Sequence, residues 1–127
     1  MTFSTINTSD APAPVGPYSQ AVRAGELIFV SGQIALNAAT GKLEQDSIEL
    51  ETDVVLKNIQ AILHEAGVGL NRVVKTSIFL TSMDTFGTVN QVYSRYFESN
   101  PPARETVEVS KLPKGARVEI SCIALAG

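Results

Sequence analysis

Apolar residues recur along the chain at two spacings, and the change from one to the other divides it into strands and helices. "YSQAVRAGELIFVSGQI" reads as two strands, Tyr18 to Ala24 and Leu27 to Ile34, joined at Gly25 and Glu26, which predicts a β-hairpin with a tight turn. The "LIFV" of the second strand is apolar without alternation, the pattern of a strand buried on both faces. A short strand around Phe3 to Ile6 comes first. The "TSDAPAPVGP" that follows it carries three prolines and a glycine and reads as an extended loop. "ALNAATGKLEQD" reads as a loop or a small hairpin.

Helical spacing begins after that. Val55, Ile59, Ile62, Leu63 and Ala66 form one apolar stripe and predict a helix from about Ser47 to Ala66. Asp46 with Glu49 resembles a capping box, Glu49, Glu51 and Asp53 place negative charge at the positive end, and Gly67 supplies the stop. "RVVKTSIFLTS" reads as a strand with Val74, Thr76, Ile78 and Leu80 on one face. Phe86, Val89, Tyr93 and Phe97 then mark a second helix, capped at Ser82 or Asp84 and ended by "NPP". Two strands close the chain, Arg104 to Ser110 and Arg117 to Leu125, linked by "KLPKGA". In the first of them Arg104, Thr106, Glu108 and Ser110 share one face and Glu105, Val107 and Val109 the other, so one side looks polar and the other buried.

The predicted order is about six strands and two helices, an α+β sandwich in one domain, residues 1–127. Two helices cover only one face of the sheet. Because "LIFV" and Phe79 supply apolar groups on both faces, copies of the chain are expected to cover each other's sheets.

Composition narrows the function. A net charge of −3 and a pI near 5.1 supply no basic field for nucleic acid or anionic lipid. A charged fraction of 18% is low, which agrees with surface covered by other copies. One cysteine, Cys122, and one histidine, His64, allow neither an internal disulfide nor a Cys/His zinc cluster, and a reducing cytosol fits that content. The N-terminus has no basic stretch followed by an apolar run, and no run of 18 apolar residues occurs later. The expectation is a soluble, cytoplasmic protein that binds neither nucleic acid nor membrane.

Candidate chemistry gathers near the end of the chain. Pro101 and Pro102 hold the chain extended and set Arg104 at a strand start. Glu119 sits mid-strand, opposite the core face. Each alone reads as a solvated residue, but if the two C-terminal strands pair as neighbours, both project from one side of the sheet into a half-dry interface. An arginine there can hold a substrate carboxylate by two parallel charge-assisted bonds, and a carboxylate can orient water or carry a proton. Tyr18 in "GPYSQA" can donate a phenol into a cleft. Ser31 and Gly32 in "VSGQI" stand at a strand end, where glycine marks a bulge or a close approach. Asn90 reads as a surface helix position. His64 reads as structural, Cys122 as a small core hydrophobe, and "AGVGL" lacks the context of a phosphate loop.

"GPYSQA", "VSGQI", "VNQVY", "PPAR" and "LPKGARVEI", in this order, closely resemble the RidA family, also called YjgF, of reactive intermediate deaminases. The resemblance covers nearly the whole chain. It implies a chorismate-mutase-like fold and a homotrimer whose sheets form a central barrel, with clefts between adjacent subunits. It also implies hydrolysis of enamines and imines such as 2-aminoacrylate to 2-keto acids and ammonia, with no metal or organic cofactor. Arg104 would bind the substrate carboxylate and Glu119 would position the attacking water. Tyr18, Ser31, Gly32 and Asn90 would line the cleft, and backbone groups near Thr106 would help hold the carboxylate. The chain departs from many relatives at Glu105 and Thr106, where they carry a small residue and cysteine, and at Ser121 and Cys122. Glu105 should face away from Arg104. Two other readings compete: a non-catalytic trimer that binds small keto acids or a protein partner, and RNA cleavage, which the acidic charge opposes.

Overall fold

The strands and helices that the pattern predicts are all present in the computed structural model, which describes residues 2–127. In chain order they are β1 (Ser4–Ile6), β2 (Ala21–Ala24), β3 (Leu27–Gln33), α1 (Ile48–Glu65), β4 (Val73–Leu80), α2 (Phe86–Tyr96), β5 (Ala103–Glu108) and β6 (Val118–Leu125), with short 3-10 turns at Leu70–Arg72, Met83–Thr85 and Pro113–Gly115. The strands form one mixed sheet in the order β1-β2-β3-β6-β4-β5. Every neighbouring pair is antiparallel except β4 and β5, which are parallel because α2 carries the chain back between them.

Both helices pack on one face. Leu56, Ile59, Ile62 and Leu63 of α1 meet Ile28, Ile78, Leu80 and Ile120 of the sheet, all fully buried. Strand β6 lies between β3 and β4, and its residues alternate: Val118, Ile120, Cys122 and Ala124 are buried, while Glu119, Ser121, Ile123 and Leu125 are partly exposed on the open face. Burial pushes the Cys122 thiol up to about 12, so it stays an inert core group.

Several local expectations change. Helix α1 is capped by Ser47, whose Oγ accepts from the Leu50 N–H at 3.0 Å, and not by a box at Asp46, because Ser47 is the last residue with extended backbone. Gly67, at φ +84, ends the helix as predicted. "LIFV" alternates after all: Ile28 and Val30 are buried and Phe29 stands 43% exposed on the open face. Val74 also points outward, because the register between β4 and β6 shifts between Val73 and Lys75 and turns Val73 inward instead. In β5 the faces are reversed. Arg104 and Thr106 lie half-buried on the helix side, while Glu105 and Val107 stand on the open face. The segment Ala35 to Glu44 is a small hairpin, bridged between Leu36 and Leu43.

Among the described residues, one carboxylate is fully buried in this core. Glu51, fully buried in the first turn of α1, accepts from the Arg117 backbone N–H and from Arg117 Nε, both at 2.7 Å. Gln45 Nε2 donates to Glu51 and to the Gly115 carbonyl, and Arg117 Nη2 donates to the Gln45 carbonyl. The Pro113–Gly115 turn and the start of β6 are thereby tied to the helix. Arg117→Ala removes the only cation in contact with a buried carboxylate among the described residues. It is expected to cost about 2–3 kcal/mol, somewhat below a fully buried pair because the Arg117 side chain keeps 39% of its exposure. Urea denaturation would show this as a lower midpoint at unchanged slope.

Candidate active site

The N-terminal proline loop is ordered by a side chain rather than by its own backbone. Gln20, 2% exposed, accepts from the Thr8 N–H at 2.7 Å. Its amide nitrogen donates to the carbonyls of Thr8, Ala11 and Pro12. Tyr18 closes the same loop, with its phenol oxygen accepting from the Val15 N–H at 3.2 Å. Ser31 Oγ donates to the Ser19 carbonyl at 2.6 Å, which locks β3 to the segment before β2.

Beyond Val30 the pairing of β3 with β6 becomes irregular, and Gly32 falls in that interval. Its backbone needs no unusual dihedral. It needs room, because a Cβ there would stand 2.5 Å from Glu119 Oε2 and 2.8 Å from its Cδ. The Glu119 carboxylate therefore lies directly over the glycine. No hydrogen bond or ion pair to Glu119 is present among the described residues, and burial raises its pKa above the ordinary glutamate value. With Tyr18, Gly32 and the walls of the proline loop it borders a cleft that opens to solvent. A half-buried carboxylate of this kind can hold a water and exchange a proton with it.

A second cluster forms where α2 crosses β5. The Arg104 guanidinium carbon lies 4.9 Å from the Tyr93 ring centroid and 5.6 Å from that of Phe86. The Tyr93 hydroxyl is in turn fixed to Thr76 Oγ1 at 2.8 Å, which stiffens the platform. Asn90 lies one helical turn from both rings on the same side of α2, by the i, i+4 and i, i+3 spacing. The Thr106 hydroxyl, two residues along β5 from Arg104, is buried without a partner. No carboxylate pairs with Arg104 among the described residues. Glu105 does point away. It accepts from Ser77 Oγ and pairs with Lys75 Nζ at 3.1 Å on the open face, and these contacts, the Ser77 bond first, hold its carboxyl below the usual range.

The two clusters do not meet within one chain. Strand β4 separates β5 from β6, so the condition under which Arg104 and Glu119 share one side of the sheet is not met. Arg104 registers with Thr76 and Cys122 on the helix face, whereas Glu119 registers with Phe79 and Val107 on the open face. Two strand spacings, roughly 10 Å, and the thickness of the sheet lie between them. Tyr18, Ser31 and Gly32 stand with Glu119; Asn90 and Thr106 stand with Arg104. Gln20 and Glu51, which order the loop and the start of β6, were not among the residues expected from sequence.

The Endoribonuclease L-PSP family model matches residues 8–126. The 2-iminobutanoate/2-iminopropanoate deaminase of Mus musculus is 46% identical over 122 residues, covering 96% of this chain and 90% of that protein. Among solved structures, a member of the conserved Rid protein family from Yersinia pestis superposes with a TM-score of 0.95 at 48% identity, over 98% of this chain and 99% of that one. Escherichia coli TdcF with bound serine gives 0.92 at 35% identity, over 96% and 98%. The matches run over nearly the whole chain, and the chain belongs to the Endoribonuclease L-PSP family, known also as RidA or YjgF.

Proposed function

We propose that this protein hydrolyses 2-imino acids, the tautomers of enamines such as 2-aminoacrylate, to 2-keto acids and ammonia in clefts shared by two copies of a homotrimer. The observation that carries this reading is the division of the site: an unpaired arginine on one face and an unpaired carboxylate on the other, each incomplete alone. The exposed apolar residues of the open face, Phe29 at 43% and Val107 at 42%, give the copies a surface to bury, and three such sheets would close a barrel. The deaminase name of the mouse relative and the amino acid bound to TdcF support the substrate class.

In such a cleft Arg104 of one copy grips the substrate carboxylate, with Asn90 and the backbone at Thr106 beside it. From the other copy Glu119, ionised, takes a proton from water as the oxygen adds to the imine carbon. That proton passes to nitrogen to complete the carbinolamine; the hydroxyl proton then moves to nitrogen by way of Glu119 as the C–N bond breaks, so ammonia leaves and the carbonyl forms. Fixing the reactants in place supplies most of the acceleration, and Glu119 supplies the proton transfer.

The test generates 2-iminopropanoate in place with an amino-acid oxidase and follows its loss with and without the protein. The rate constant kcat/KM should rise with pH as Glu119 ionises, through a midpoint above the ordinary glutamate range because burial raises that group. Glu119→Gln should abolish this limb. Keto-acid binding without acceleration would instead favour a non-catalytic binding module.

A further inference from the structure

Arg104 is held in place while its donors stay unspent. The side chains of the other four arginines each donate a hydrogen bond: Arg23 to the Gly25 carbonyl, Arg72 to the Gly127 carbonyl, and Arg95 and Arg117 to the carboxylates of Glu49 and Glu51. The half-buried Arg104 donates none among the described residues, and its contacts are the ring faces of Tyr93 and Phe86. A carboxylate partner would also keep an arginine still, but a substrate would have to displace it. A ring face attracts the cation through its π electrons and takes up none of the five N–H donors.

The nearer ring is itself tied down. Tyr93 is buried, stacked on Phe97 at 4.6 Å between centroids, and its hydroxyl is hydrogen-bonded to Thr76 Oγ1 at 2.8 Å. Thr76, also buried, is the β4 residue in register with Arg104 on β5, so the ring is anchored to the strand position beside the arginine. Burial raises the phenol's pKa, which keeps Tyr93 neutral and denies Arg104 a phenolate partner.

We propose that Tyr93, tied to Thr76, is a positioning residue that orients Arg104 for the substrate carboxylate before it arrives, with ring faces in place of an ion pair keeping the guanidinium free. On the deaminase reading, which this deepens, part of the cost of ordering a long side chain is met in the free protein. Loss of the ring then weakens substrate and transition state alike, because the carboxylate is held in both.

The experiment measures 2-iminopropanoate hydrolysis for Tyr93→Leu and Tyr93→Phe, each alone and combined with Arg104→Ala. Tyr93→Leu keeps the site apolar without a π face and should raise KM about tenfold with kcat within about twofold. Tyr93→Phe restores the ring and should keep KM within about threefold of wild type. In the Arg104→Ala background no cation remains to be positioned, and Tyr93→Leu should change kcat/KM by less than about twofold. A loss that persists there in full, a loss confined to kcat, or an unchanged KM in Tyr93→Leu overturns the proposal. Should a melting curve show that Tyr93→Leu does not fold, Phe86→Leu, at the half-buried ring of the same pair, carries the comparison, with about threefold expected in KM and none in the Arg104→Ala background. If wild type hydrolyses no imine, the deaminase reading fails, and the same cycle read on pyruvate binding by calorimetry decides the positioning role separately. A wild-type protein that does neither overturns both.

Discussion

Arg104→Ala and Glu119→Ala are each expected to lose at least about a hundredfold in kcat/KM for 2-iminopropanoate, from a lost bidentate carboxylate contact and a lost proton acceptor respectively. Mixed together, they should recover. If every cleft takes its arginine from one copy and its glutamate from another, random assembly of equal amounts gives about one quarter of clefts with both groups intact. Co-expression or joint refolding, followed by the imine assay, measures this directly. Recovery to near a quarter of wild-type activity is the expected outcome. A mixture no more active than its components would mean that one copy supplies both groups, against the opposite faces on which the sheet carries them.

Gly32→Ala is the second large effect. The added methyl would meet Glu119 Oε2 at 2.5 Å, Cδ at 2.8 Å and Cγ at 3.1 Å, so the carboxylate must swing off the glycine. Displacing a reacting group by about 1 Å commonly costs on the order of a hundredfold, and kcat should fall by that amount. The arginine half of the cleft is untouched, so KM should change much less. Steady-state kinetics separate the two parameters, and a melting curve checks that the fold survives. A kcat within threefold of wild type would show that Glu119 does not work from this position.

Much of the architecture was readable from periodicity. The stripe of Val55, Ile59, Ile62 and Leu63 placed α1 within a residue at each end, and the alternation of β6 correctly turned Cys122 inward and Glu119 outward. Pairing order was not readable. Strand β6 returns from the end of the chain to the middle of the sheet, and nothing in its own pattern says which strands it will join. That is why Arg104 and Glu119 looked like neighbours. The faces of β5 were inverted because Val107 resembles a core residue, whereas the helix side of that strand is closed by Phe86 and Tyr93 and takes an arginine against their rings. Glu51 did leave a trace: it falls four residues before Val55 and eight before Ile59, a carboxylate on the apolar stripe. Such a position calls for a buried cation, and Arg117 is the one that answers.

The opposed placement of Arg104 and Glu119 also bears on inheritance. If each cleft draws on two copies, as proposed, a chain carrying both lesions spoils two clefts wherever it is incorporated. When a fraction of the pool is defective, the working clefts fall as the square of the healthy fraction, where a self-contained site would fall only in proportion. On the proposed assembly, a defective allele that still folds and assembles is therefore partly dominant over a normal one, while an allele that fails to fold is merely absent.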